Sequence, residues 1–115
     1  MAGIGKYSVR DALNIDVAAL WDEQTVATVA ATTSTVTVDK KYNMVLVQTD
    51  LDIYYTWAVD TTDVINTSNS LYLVGGDDIY VLRVPWGKAP ERSADVYLQW
   101  QRKGSSDATA RHVLA

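Results

Sequence analysis

The chain has 115 residues, no Cys, one His (His112), and 14 acidic against 10 basic residues, for a formal net charge of -4. This composition excludes disulfide stapling, thiol catalysis and any catalytic array that needs a second imidazole. It carries no global footprint for nucleic acid, and no run approaches the ~20 apolar residues of a membrane helix.

Thirty-two β-branched residues, seven Tyr and four Trp favour pleated sheet over helix. Residues 1–24 stand apart. Val9, Leu13, Val17, Leu20 and Trp21 recur at mostly three- and four-residue spacings, and Ser8 is placed to cap them. Asn14 and Asp16 work against a robust helix. An N-terminal arm, partly helical, is expected, with Leu13, Leu20 and Trp21 offered to a neighbouring surface.

From Thr25 the period becomes two, and residues 25–115 read as one domain. Strands are predicted near residues 25–30, 34–38, 42–49 and 53–59. Ile53, Tyr55, Trp57 and Val59 share one face of the fourth, and Tyr54 points the other way. A polar loop at residues 60–70 follows. Further strands are predicted near 71–74 and 78–84, joined at Gly75-Gly76 as a tight hairpin. The last two lie near 95–102 and 108–114. The core is expected to hold Val36, Val38, Leu46, Ile53, Tyr55, Trp57, Leu73, Val81, Val96, Leu98 and Trp100, with Trp57→Ala the harshest truncation. The pattern is that of an all-β domain, a small antiparallel β-sandwich or jelly-roll-like barrel of seven or eight strands.

Candidate chemistry is sparse. Asp60 and Asp63 offer two carboxylates to a hard cation, but no defined loop motif surrounds them and solvated turn residues are the plainer reading. No metal site is assigned on that basis. Val74-Gly75-Gly76-Asp77-Asp78 lacks the spacing of a dinucleotide cradle, and no cofactor is implied. His112 reads as a strand or interface residue. Charge is uneven: residues 58–80 hold four acids and no base, while Lys88, Arg92, Arg102, Lys103 and Arg111 fall late and suggest a basic end. One small domain does not easily bury eleven Tyr and Trp rings. Tyr54, Trp86 and Tyr97, with the arm residues, are therefore candidates for a contact surface.

Three passages carry a resemblance. They are Val45-Leu-Val-Gln-Thr-Asp-Leu-Asp-Ile-Tyr-Tyr55, the run Leu71-Tyr-Leu-Val-Gly-Gly-Asp-Asp78, and Asp95-Val-Tyr-Leu-Gln-Trp100. Together the segment from Ser34 to Leu114 resembles small β-sandwich virion proteins of tailed bacteriophages, including capsid decoration and cement proteins. The resemblance implies a non-enzymatic role in the virion, self-association as a trimer, and contact with the major capsid protein or another virion protein. Composition and the lack of a long apolar run give no nucleic-acid or membrane partner. The alternative is a tail- or neck-associated carbohydrate- or receptor-binding module.

Overall fold

A computed structural model describes residues 21, 23–68, 70–86 and 92–115. The period-two segments form eight strands close to where the pattern puts them. These are β1 (Thr25–Val29), β2 (Ser34–Val38), β3 (Met44–Thr49) and β4 (Ile53–Ala58), then β5 (Leu71–Leu73), β6 (Tyr80–Arg83), β7 (Val96–Arg102) and β8 (Ala108–Leu114). They pair antiparallel in two four-stranded sheets, ordered β1-β8-β3-β6 and β2-β7-β4-β5. The protein is an all-β sandwich.

A simple rule generates this order. Folding the chain back on itself at residues 59–70 pairs β4 with β5, β3 with β6, β2 with β7 and β1 with β8. All four ladders are present. Rolling that long hairpin then brings β3 beside β8 and β4 beside β7. A rolled antiparallel hairpin of eight strands is a jelly roll. No sheet is large, and the larger core fills the space between the two.

Alternation decides what fills that space. Val29, Val38, Val45, Val47, Ile53, Leu73, Leu82, Val96, Leu98 and Trp100 meet there, with Ala108 and Ala110 keeping β8 close. Val36, Tyr55 and Trp57 pack against this core but stay partly exposed. Trp100 is only 1% exposed, so the ring whose loss leaves the largest cavity is Trp100 rather than Trp57. Leu46 and Val81 depart from expectation. Because Val45 and Val47 face inward, Leu46 points to the outer face of the first sheet, where Ile79 and Val113 join it and Trp21, Met44 and Val81 pack around them. The second sheet is also covered on its outer face. Gln99 is fully buried there and donates from Nε2 to the carbonyl of Asp63 at 2.6 Å, while Ile65 tucks in from the same loop.

The Gly75-Gly76 hairpin is not formed. Strands β5 and β6 lie in different sheets, so residues 74–79 cross the sandwich instead of turning within one sheet. The expected helix over the arm falls on residues 1–20, outside those described.

His112 faces Trp100 edge to face, with ring centroids 5.4 Å apart. Burial disfavours its imidazolium and holds its pKa below the ordinary value, and Nδ1 has no partner among the described residues. The unfolded chain therefore takes up a proton that the folded one refuses. This contribution to stability is complete above the ordinary imidazole value of ~6.5 and is lost as pH falls through it towards the lower folded value. Urea midpoints should drop between pH ~7.5 and ~5. The drop should be smaller in a His112→Gln variant; identical profiles for the two proteins would place the proton uptake elsewhere.

Candidate functional site

Four connections gather at one end of the sandwich: residues 30–33, 50–52, 74–79 and 103–107. Each must leave one sheet for the other, which exposes backbone donors that the ladders no longer satisfy. Two aspartates meet that demand. Asp50 exchanges two bonds with Thr109, donating its amide to the Thr109 carbonyl at 3.1 Å and accepting the Thr109 amide on Oδ1 at 2.7 Å. Asp52 accepts the Gly75 amide on Oδ1 at 2.9 Å, and its carbonyl accepts the Lys103 amide at 3.1 Å. The amide of Gly76 reaches the Thr49 carbonyl at 2.9 Å, and that of Arg102 the Ala30 carbonyl at 2.9 Å. Asp50 and Asp52 therefore act as staples, tying the 50–52 loop to β8 and to the 74–79 and 103–107 loops.

The glycine pair has a different use from the one expected. A Cβ on Gly75 would stand 2.5 Å from both the Asp50 carbonyl oxygen and the Leu51 Cα. Only a residue without a side chain lets the two loops touch. Gly76 adopts φ 152°, where glycine is favoured.

On the outer face of β4 and β5, Tyr54 and Tyr72 are direct cross-strand partners. Tyr72 is 51% exposed. Lys103, carried over from the β7–β8 loop, holds Nζ 4.9 Å from the Tyr72 ring centroid and 5.9 Å from that of Tyr54. An exposed contact of this kind stabilises by ~0.5–1 kcal/mol. The same lysine borders an open depression of about 380 Å³, lined also by Leu51, Asp52, Gly104, Ser105 and Ser106. A second open depression, of about 470 Å³, lies between Gln48, Asp50, Gly76, Asp77, Thr109 and Arg111. His112 is buried against Trp100 on the inner face, so the chain's one imidazole opens into neither.

The other candidate residues scatter. Leu13, Leu20 and Lys88 lie outside the described residues. Trp21 packs half-buried against the Leu46 cluster, and Tyr97 is half-buried on the outer face of β7. Trp86 is exposed just beyond β6. The basic end is not a single patch. Arg92 is buried at the opposite end of β7 from Arg102, donating to the carbonyls of Asp39, Tyr42 and Ala94 at 2.8, 2.6 and 3.2 Å. A guanidinium that satisfies three loop carbonyls is a structural clamp. Arg102 pairs with Asp107 at 2.5 Å, and Arg111 projects from the outer face of β8 beside Asp50 and Asp77. Acids and bases thus mix at the four-loop end. Asp60 accepts from both the amide and hydroxyl of Thr62, which lowers its pKa, while the Asp63 backbone carbonyl receives Gln99. Among the described residues no three His, Cys, Asp or Glu side chains assemble as metal ligands.

Sequence reasoning missed Tyr72 and Gln99. It names Lys103 only as part of a basic end, with no sign that it covers two tyrosines. Gln99 carries no signal in sequence beyond a polar residue on an outward strand position. No family model, curated protein or solved structure matches the chain.

Gly75→Ala forces the 50–52 and 74–79 loops apart and should destabilise the domain by ~1–3 kcal/mol, as overpacking does. A chemical-denaturation midpoint unchanged by the substitution would show that the loops do not need this approach.

Proposed function

We propose that this chain is a virion structural protein, a decoration or cement module that works through protein–protein contacts and assembles as a trimer. The observation that carries the reading is a set of exposed apolar side chains towards one end of the sandwich. Strands β5 and β6 are the edges of their sheets on the same side of the sandwich. Where β4 gives way to the loop and β5 begins, Val59 is 67% and Leu71 66% exposed; just past β6, Trp86 is 44% exposed. Three large apolar side chains left in water at one end of two open edges favour a partner surface over solvent. Strand β5 has three residues, which limits strand addition and favours side-chain packing.

The jelly roll itself is neutral on this point, since capsid and lectin domains both use it. The assignment to a virion rests on the resemblance of the Val45–Tyr55, Leu71–Asp78 and Asp95–Trp100 passages. The N-terminal arm enters the proposal as a second contact, anchored at Trp21 on the outer face of the first sheet. Repeated shallow contacts suffice, because a trimer presents each one three times at high effective concentration.

Light scattering across a concentration series should show a species of three chains. A Leu71→Asp, Trp86→Ser double variant should shift it towards the 12.7 kDa monomer while keeping the β spectrum. A clean monomer at the highest concentration removes the oligomer. Gradient-purified particles should contain the chain in fixed ratio to the shell subunit, and its absence from them removes the virion role.

A further inference from the structure

We propose that Tyr54, Tyr72 and Lys103, with the adjoining depression, form a binding site for an acidic saccharide. The inference is independent of the assembly reading, because its residues lie on the outer face of the second sheet and at the four-loop end, not among Val59, Leu71 and Trp86.

Three requirements of sugar binding are met together. A pyranose needs an aromatic surface for its C–H face, and Tyr72 offers one in water with Tyr54 directly beside it in register. It needs polar groups at the edge of that surface for its hydroxyls. Asp52, Ser105 and Ser106 line the adjoining depression, whose volume of about 380 Å³ falls in the range of small-ligand sites. Asp52 already spends Oδ1 on the Gly75 amide, which fixes the carboxylate and leaves Oδ2 to accept from a hydroxyl. Finally, the site is held by the fold. Tyr54 and Tyr72 sit on paired strands, and the Lys103 backbone is tied to the Asp52 carbonyl at 3.1 Å. Preorganisation of this kind limits the ordering that binding would otherwise require.

The sign of the ligand follows from Lys103. Its ammonium lies over both rings, between the aromatic surface and the depression, and its partners are π faces. A carboxylate on the sugar gives that ammonium a stronger partner and draws it off the rings, which frees their faces for the pyranose. A neutral sugar would gain stacking alone. An open, shallow site with one stacking surface and one charge contact belongs with weak monovalent affinity, in the millimolar range, raised by multivalency wherever several copies are displayed.

The test is heteronuclear NMR of the intact chain titrated with trigalacturonate, glucuronate and N-acetylneuraminate, each against its neutral counterpart or galactose. Shifts should localise to Tyr54, Tyr72, Lys103 and residues 104–106 with at least one acidic sugar. Tyr72→Ala should weaken binding about tenfold and Lys103→Gln about two- to fivefold. Both positions are at the surface, so both variants should keep the wild-type spectrum elsewhere. The Leu71→Asp, Trp86→Ser variant should bind unchanged, which separates this site from assembly. The absence of localised shifts with every acidic sugar overturns the proposal, as do shifts elsewhere on the surface or binding that survives both substitutions. Equal affinity for acidic and neutral sugars overturns it as well.

Discussion

Six of the seven connections must carry the chain from one sheet to the other, and this constraint shapes everything else in the molecule. A connection that leaves its sheet abandons ladder hydrogen bonds. At one end Asp50 and Asp52 supply the missing acceptors, and Gly75 permits the loops to touch. At the other end Arg92 supplies donors to the carbonyls of Asp39, Tyr42 and Ala94. These three charged residues hold turns. The inner faces, with Trp100 at their centre, are then mainly apolar, with Thr49 and His112 among the polar residues buried there.

Both outer faces are also put to use. The first sheet carries Leu46, Ile79 and Val113 under Trp21, so one strand, β3, is apolar on both sides. The second sheet is covered by residues 59–68, pinned by Gln99 and by the Thr33 hydroxyl, which accepts the Ile65 amide at 3.2 Å. Two parts of the exposed surface stand out: Val59, Leu71 and Trp86 towards one end, and the tyrosine pair under Lys103. The first suits a partner that excludes water from three hydrophobic side chains. The second combines ring faces with polar neighbours and suits a small, hydrated ligand.

Strand positions were legible because period-two patterning and Gly, Asp and Asn turns agree along nearly the whole domain. Phase was legible wherever polar and apolar residues alternate, as in β7, where Val96, Leu98 and Trp100 face in. It was illegible in β3, since Met44-Val45-Leu46-Val47 offers no polar residue to mark the outside. The Gly75-Gly76 step was misread for a related reason. Two glycines between strands signal a turn, but nothing local tells whether the strands they join share a sheet. The tyrosine site depends on long-range register: Tyr54 and Tyr72 meet across β4 and β5, and Lys103 arrives from thirty-one residues further on. Arg92 looked like free surface charge because two of its three carbonyl partners lie about fifty residues away in the chain.

The most direct test of this view is amide hydrogen exchange at the four-loop end, which reports local opening residue by residue. The Gly75 and Thr109 amides, held by Asp52 and Asp50, should exchange slowly, at rates approaching those of the β4–β7 ladder. Asp52→Ala should accelerate Gly75 selectively and leave that ladder protected. Fast exchange at Gly75 and Thr109 in the unaltered protein, or a Gly75 rate indifferent to Asp52, would contradict the claim that these two carboxylates close the sandwich.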